Sequence, residues 1–347
     1  MGVRYLLEGS VQPSGGQVRV NAQLVDADGG AHLWAEQFDT ARADLLQMQD
    51  EIVEHLARAL ELQLPEIEAA RLKRTPAANP NAQDLALQCH AAIQRAGYIG
   101  KEADAGFPLC EQALAIDPNN ALALCALSVK FYLPVALGLS TDPKGDLKRA
   151  DELASKALAL DPNFIHSHLN KANVLGTQGH PEEALAEYER ALALDPAFAD
   201  ADAGVSFSYQ ELGQFEKSVD YFNKTIRLSP HDPYLSGWYA GKANSYFGLK
   251  QYDQAIEWAR RAITISPNST PTAHADLIAI FALTGHEVEA QEALQRYLAL
   301  PPAGGPRTIA VWKAYKSQLT NPHSDPRYLE LWDRLVEGLR KAGMPEG

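Results

Sequence analysis

The stretch that decides the fold is "YERALALDP", residues 188–196, because similar stretches occur five more times along the chain. They are "CEQALAIDP" at 110–118, "ASKALALDP" at 154–162, "FNKTIRLSP" at 222–230, "ARRAITISP" at 259–267 and the weaker "LQRYLALPP" at 294–302. The closing prolines lie 44, 34, 34, 37 and 35 residues apart. Each copy is typical of the end of a helix, because proline cannot continue the helical hydrogen bonds. The spacing predicts a repeated helix–turn–helix unit.

Small residues recur at two places in the second helix of each predicted unit, and they would let neighbouring helices approach closely. The first place holds Gly106, Ala150, Ala184, Ser218, Ala255 and Ala290. The second place, seven residues further on, holds Ala113, Ala157, Ala191, Thr225 and Ala262, with the larger Tyr297 in the last copy. The turn within a unit is expected at Gly179, Gly213 and Gly285, and Lys250 replaces this glycine in one unit.

These features resemble the tetratricopeptide repeat family over residues 82–303, in about six copies. The resemblance implies a mainly α-helical superhelix, because a single helix pair cannot bury its own apolar face. The interval of 44 predicts about ten extra residues as a loop near "GLSTDPKGD", residues 138–146. The interval of 37 predicts a longer connection at "HDPYLSG", residues 231–237.

Residues 304–347 are expected to cap the open end of the superhelix. Two helices are predicted there, at about 307–318 and 325–342. Their shared apolar face would be formed by Trp312, Tyr328, Leu331, Trp332, Leu335 and Leu339.

The start of the chain has a different pattern, which predicts a small α/β domain over residues 1–64. Residues 3–38 predict a three-stranded antiparallel meander with glycine-rich turns. In the middle strand Val18, Val20, Ala22 and Leu24 should face one side, and Arg19, Asn21 and Gln23 the other. A helix is expected over 43–64, followed by a polar linker at 65–81.

This first part resembles the second half of the TolB-like amino-terminal domain of bacterial proteins. The resemblance rests on "GVRYLLEGSV" at 2–11, "VNAQLVDADGGAHLWAE" at 20–36 and "QDEI" at 49–52. It implies the back part of a signalling protein, one that carries either a class III adenylate cyclase domain or a winged-helix DNA-binding domain in front. An unpaired edge of the first strand would also offer a route to a homo-oligomer.

Composition narrows the classes of partner. The 347 residues carry a formal net charge of -13, which repels phosphate backbones, so nucleic acid is not an expected partner. The apolar run at 121–139 is interrupted by Lys130 and Pro134 and is interpreted as a buried helix, so no membrane segment is expected. No signal peptide is recognised, which favours a cytoplasmic location, or a periplasmic one if a longer form has an upstream transmembrane helix.

The sequence predicts neither catalysis nor a cofactor. No phosphate-binding glycine loop is found, and "PPAGGPR" lacks the lysine and hydroxyl residue that would follow. His166 and His168 would point to different faces of a helix and could not share a metal. Three cysteines without metal-ligand spacing are expected to be small buried residues rather than a disulfide or a zinc site: Cys89, Cys110 and Cys125.

One recurring tripeptide suggests a binding surface. Lys-Ala-Asn occurs in "LNKANVLG" at 169–176 and in "GKANSYFG" at 241–248, on the first helices of two units. First helices line the inside of such superhelices in the family, and an asparagine there can hydrogen-bond the backbone of an extended peptide. The alternative is that these are ordinary solvated helix positions. The candidate peptide-binding groove is His166, Asn173, Phe207, Gln210, Asn244 and Phe247.

The sequence therefore predicts a non-catalytic scaffold that binds a peptide or protein segment. The basic residues that bind a peptide's C-terminal carboxylate in some members of the family are not matched. The alternative function is the regulatory part of a nucleotide cyclase or of a transcriptional regulator.

Overall fold

The computed structural model describes residues 5–14, 17–26, 32–41, 81–96, 98, 101–268, 270–301, 305–320 and 324–347. The chain divides into two compact units, Met1–Pro76 and Ala77–Gly347. In the described residues the first unit is a β-sheet and the second is helical. The helix predicted at 43–64, and the linker predicted after it up to residue 80, lie outside the described residues.

The first unit contains the predicted antiparallel meander. Its strands are β1 (Tyr5–Ser14), β2 (Gln17–Asp26) and β3 (His32–Ala41), paired in the order β1-β2-β3. The register places Tyr5 opposite Asp26 and Val18 opposite Thr40, and it shifts by a bulge at Leu24/Val25.

The two faces of β2 differ as the alternating pattern predicts. Val18, Ala22 and Leu24 are buried on one face. On the other face Arg19 donates two hydrogen bonds to Asp39, at 2.7 and 3.0 Å. Exposed polar ladders of this kind add little to stability, so the apolar face holds the sheet. The remaining cross-strand bonds on the polar face are from Asn21 to Ser10 at 3.2 Å and from Gln23 to Glu8 at 2.9 Å.

The second unit is a series of antiparallel helix pairs that stack in chain order, as the repeat predicts. Within the described residues the helices are α1 (Ala82–Arg95), α2 (Lys101–Ile116), α3 (Ala121–Ala136), α4 (Pro143–Leu160), α5 (Ile165–Thr177), α6 (Pro181–Leu194), α7 (Ala199–Glu211), α8 (Phe215–Leu228), α9 (Leu235–Gly248), α10 (Tyr252–Ile265), α11 (Pro271–Leu283), α12 (Glu287–Leu298), α13 (Ile309–Leu319) and α14 (Pro326–Lys341).

The recurring small residues lie where the helices pack most closely. Ala150, Ala184 and Ala255 are fully buried, and a Cβ added at Gly176 of α5 would lie 3.9 Å from the Cβ of Ala184 on α6. The turns within the pairs have the left-handed backbone that glycine favours, with φ of 80° at Gly179, 66° at Gly213 and 82° at Gly285. Lys250 adopts the same conformation, with φ of 61°, so the turn survives the loss of its glycine.

Most of the extra residues in the 44-residue interval lie in helices, so the prediction that they form a loop is wrong. Helix α3 has 16 residues and α4 has 18, compared with 13 in α5 and 14 in α6. Only residues 137–142 connect α3 to α4, and Asp142 then caps α4. The longer connection predicted before α9 is confirmed, at residues 229–234.

The prediction about the cysteines was wrong in one respect. Cys89 and Cys110 form a disulfide that joins α1 to α2, with Cα atoms 5.6 Å apart. The antiparallel packing of this first pair places the two residues opposite each other, although 21 residues separate them in sequence. Both are fully buried, as is the free Cys125 at 2% exposure, so the predicted burial is confirmed.

The two closing helices form as predicted and have a wider role than capping. The predicted apolar residues, from Trp312 to Leu339, are all buried. However, the Tyr315 hydroxyl donates to the Ala136 carbonyl, 2.8 Å away at the end of α3. The Lys250 ammonium pairs with Glu330 at 2.8 Å, and Arg334 donates to the Phe247 carbonyl. Helices α13 and α14, called the C-terminal strap below, therefore contact the turns of earlier pairs as well as the last one.

Close helix packing at Ala184 can be tested by one enlargement. Ala184→Leu should overpack the interface and lower the free energy of unfolding by about 1–3 kcal/mol. The control is Ala186→Leu, the same substitution on an exposed position of the same helix. Urea unfolding of both variants measures the difference, and equal midpoints would contradict the packing described.

The contact between the strap and the α7–α8 turn gives a second prediction. A Cβ at Gly213 would lie 2.1 Å from Oδ1 of Asp325, which caps α14, whereas a Cβ at Gly285 meets nothing within 4 Å. Alanine at either position costs about 1–2 kcal/mol for the left-handed backbone. Gly213→Ala should cost about 1 kcal/mol more than Gly285→Ala because it also displaces the cap. Equal costs in thermal unfolding would mean that the strap does not dock on this turn.

Candidate functional site

A cavity of about 320 Å³ lies between the inner helices of the second unit and the C-terminal strap. Its walls come from the first helices of successive pairs, from Tyr188 of α6 and from both strap helices. It is called the central cavity below. Because the first helices line it, the sequence-based expectation about which helices face inward agrees with the structure.

Five of the six candidate groove residues line this cavity together: His166, Asn173, Phe207, Gln210 and Asn244. Phe247 is placed elsewhere and has to be removed from the set. Its ring is fully buried, and the guanidinium of Arg334 lies over it at 4.7 Å from the ring centre. The side of α9 that carries Phe247 faces α14, so this residue is part of the core beneath the strap.

Asn173 is not a solvated helix residue, because two tyrosines bond its side chain. Its Nδ2 donates to the Tyr132 hydroxyl at 3.1 Å, and its Oδ1 accepts from the Tyr188 hydroxyl at 2.7 Å. A primary amide has two N–H groups and two acceptor lone pairs. One donor and one acceptor of Asn173 therefore remain for a ligand.

Asn244 and Gln210 are held in a similar way. The Asn244 Nδ2 donates to Asp276 Oδ1 at 3.0 Å, and the Gln210 Nε2 donates to the Gly241 carbonyl at 3.0 Å. Burial raises the pKa of Asp276 to about 8, against the opposing effect of the Asn244 hydrogen bond. These bonds fix the orientation of both amides before any ligand arrives.

Two histidines stand at one end of the cavity. The rings of His90 and His166 meet edge to face, with centres 5.1 Å apart. Burial, with a smaller contribution from His166, lowers the pKa of His90 to about 3. The His90 imidazole is therefore neutral at physiological pH and adds no positive charge to the wall.

Glu211 and four tyrosines are among the cavity residues that the sequence reasoning missed. Burial raises the pKa of Glu211 to about 8, and the nearby Glu182 adds to this effect. Burial is also the main reason that the pKa values of the tyrosine hydroxyls lie above their usual range, and for three of these tyrosines the charge of Glu211 contributes. The four tyrosines are Tyr132, Tyr188, Tyr315 and Tyr328.

Glycines in the first helices make room for aromatic rings. A Cβ at Gly204 of α7 would lie 2.1 Å from the Tyr188 ring, and one at Gly237 of α9 would lie 2.4 Å from the Tyr234 ring. Each ring thus rests against bare helix backbone. Glycine inside a helix costs about 0.5–1 kcal/mol, so these glycines are the sequence signal that could have revealed the aromatic wall.

Metal-binding clusters and membrane-spanning helices are both absent from the described residues. In that part of the chain no group of three or more histidine, cysteine, aspartate or glutamate side chains is arranged to hold a metal ion. None of the helices described there is both long and apolar enough to cross a membrane.

Two family models, both described as tetratricopeptide repeat, match residues 169–233 and 239–269. A protein of Rhizobium meliloti (strain 1021) with the name "Putative adenylate cyclase 3" is 31% identical over 185 residues. That match covers 53% of this chain but only 31% of the relative, so the chain spans about a third of the protein it matches.

Two solved structures resemble the chain at low sequence identity, and the first of them shares its fold. The human IFIT1 dimer with m7Gppp-AAAA superposes with a TM-score of 0.58 and 17% identity, over 84% of this chain and 67% of that one. Pseudomonas aeruginosa PilF gives a TM-score of 0.46 and 18% identity, over 68% of this chain and 97% of that one. The chain carries tetratricopeptide repeats, stacked in a helical solenoid that follows a small antiparallel sheet in the sequence.

Proposed function

We propose that the chain is a non-catalytic scaffold that binds a segment of a partner protein in the central cavity. The observation that carries the proposal is the convergence of Asn173, Gln210 and Asn244 from three successive first helices on one cavity. Their amides keep unused hydrogen-bonding capacity, and Phe207 beside them offers an apolar contact. Extended peptides are recognised by this combination of backbone hydrogen bonds and side-chain pockets.

The volume of the central cavity limits the size of the group that can enter it. A cavity of about 320 Å³ is at the small end of ligand sites, so it accommodates one or two side chains rather than a long segment. The bound segment would place an anchoring side chain inside the cavity and run along the first helices outside it. Hot-spot anchors of this kind supply most of the affinity in small interfaces.

A peptide selection tests this proposal. A random peptide library displayed on phage is selected on the purified chain, and enriched peptides are measured by isothermal titration calorimetry. Phe207→Ala should weaken their binding roughly tenfold, about 1.4 kcal/mol, because an apolar contact in the cavity is lost. The matched control is Phe281→Ala, also a half-buried phenylalanine on a first helix but not part of the cavity wall.

Both variants should fold, and Phe281→Ala should leave affinity within about twofold. The proposal fails if no peptide is enriched over an unrelated helical protein. It also fails if the two substitutions weaken binding equally, because the effect would then reflect general destabilisation.

A second candidate is supported by the relative named for adenylate cyclase. In this reading the solenoid is a regulatory part of a nucleotide cyclase, and a partner or ligand in the cavity changes the rate of catalysis elsewhere in the polypeptide. The Cys89–Cys110 disulfide favours the periplasmic alternative for the solenoid over the cytoplasmic one, because such bonds persist in oxidising compartments.

This candidate predicts that the gene continues upstream, in the same frame, into a cyclase domain. Deletion of residues 77–347 from that longer polypeptide should change its rate of cyclic AMP formation at least twofold, because a regulatory part biases the active state. An unchanged rate, or an upstream frame without a cyclase domain, would exclude the regulatory role.

A further inference from the structure

The walls of the central cavity are unusually rich in tyrosine. Six tyrosines line it, from α3, α6, the strap and the connections that precede α2 and α9: Tyr98, Tyr132, Tyr188, Tyr234, Tyr315 and Tyr328. Several rings meet edge to face, including Tyr98 with Tyr234 at 6.5 Å between centres and Tyr315 with Trp332 at 5.6 Å. The face of an aromatic ring carries partial negative charge, so a chamber of such rings attracts cations.

The charged groups of the cavity wall also favour a cation. Asp200 and Glu211 line it, and none of its described lining residues is a lysine or an arginine. Among the described lining residues the titratable bases are His90 and His166, and His90 is neutral at physiological pH. The chain as a whole carries a net charge of -13, which adds a long-range field of the same sign.

Glu211 is a carboxylate of the cavity wall for which no ion pair is found within the described part of the chain. Among the described residues, no side chain donates a hydrogen bond to its carboxylate and no cation pairs with it. Its electrostatic neighbours are the tyrosines on α6, α13 and α14 and the carboxylate of Glu182. Placing a carboxylate in such surroundings without a partner is costly, and a bound cation would offset that cost.

We propose that the central cavity binds an organic cation, a protonated amine or a guanidinium on an apolar stem, with Glu211 as its charge partner and the tyrosine rings as its walls. The proposal rests on the proposed use of this cavity as the binding site and adds the chemical class of the group that enters. A lysine or arginine side chain of a partner and a free small amine share this chemistry.

The tyrosine rings are held in fixed positions, which supports a binding role for the central cavity rather than a packing defect. Gly204 and Gly237 leave the Tyr188 and Tyr234 rings lying on helix backbone. The Tyr315 hydroxyl is tied to the Ala136 carbonyl, and the Tyr132 and Tyr188 hydroxyls are tied to Asn173. Walls fixed in this way lose little conformational entropy when a ligand binds.

Calorimetry on the whole chain tests the proposal with two probes that differ in charge, n-hexylammonium and 1-hexanol. Above pH 8, where most of the Glu211 carboxyl is ionised, the ammonium should bind at least tenfold more tightly than the alcohol. Glu211→Gln should remove most of that preference and leave the alcohol unchanged. Glu183→Gln, an exposed carboxylate on α6, is the matched control and should keep the preference.

The pH dependence gives a second readout, and Glu211→Gln separates Glu211 from Asp276, whose pKa burial also raises to about 8. Because burial holds the pKa of Glu211 at about 8, its ionised fraction grows as pH rises through that value. Ammonium binding should therefore strengthen across this range, while 1-hexanol binding stays constant. The neighbouring phenols of Tyr188, Tyr315 and Tyr328 have pKa values raised by burial and do not ionise there.

A peptide arm identifies the source of the cation. An alanine-based peptide with one central lysine is compared with the same peptide carrying norleucine. Tighter binding of the lysine peptide than of n-hexylammonium assigns the cavity to a partner's side chain, and the reverse order assigns it to a free amine. Equal binding of n-hexylammonium and 1-hexanol, or an undiminished preference in Glu211→Gln, overturns the proposal.

These outcomes are separable from those of the peptide selection. Enriched peptides without lysine or arginine, together with no ammonium preference, would overturn the cation proposal and leave the scaffold standing. Ammonium binding without any enriched peptide would overturn the scaffold proposal and leave the cation proposal standing.

Discussion

The helical unit depends on the close approach of neighbouring helices at positions that hold small side chains. Ala184 and Ala191 on α6 are fully buried, and Gly176 of α5 leaves only van der Waals space beside Ala184. Because these positions recur with the repeat, each pair stacks on the next in chain order, and the first helices fall on the inner side. The central cavity therefore depends on small residues of the second helices, although these small residues do not line the cavity.

A second constraint closes the inner surface into a cavity. The C-terminal strap buries Trp312 and Trp332, and burial of one large apolar side chain contributes about 1.5–3 kcal/mol. The exposed ion pairs that it makes, such as Lys250 with Glu330, contribute about 0–1 kcal/mol each. Apolar packing therefore holds the strap, while the polar contacts fix its position along the turns. The Tyr315 hydroxyl reaches the end of α3, so the wall includes residues 179 apart in sequence.

Features that repeat were readable from the sequence, and features that arise once were not. The helix pairs, the left-handed turn glycines and the inner position of Asn173 and Asn244 all follow from the repeat register. Each copy shows which positions of the other copies are equivalent. The Cys89–Cys110 disulfide depends on how the first pair packs, and a spacing of 21 residues carries no signature of it. Phe247 was misplaced because the repeat register cannot show that α14 covers that side of α9. Glu211 and Tyr315 meet only through the strap, which lies outside the repeat.

Hydrogen bonds from neighbouring side chains orient the polar groups around the central cavity, which bears on its proposed use as a binding site. In a core, a buried hydroxyl or amide is bonded until its capacity is used, because an unmet group costs about 1–3 kcal/mol. Here Asn173 satisfies two tyrosines and keeps one donor and one acceptor, whereas the Glu211 carboxylate has tyrosine rings around it and no donor among the described residues. Glycines inside α7 and α9 weaken those helices in order to seat the rings. Two inner helices thus give up some stability where the aromatic walls and the Glu211 carboxylate face one another.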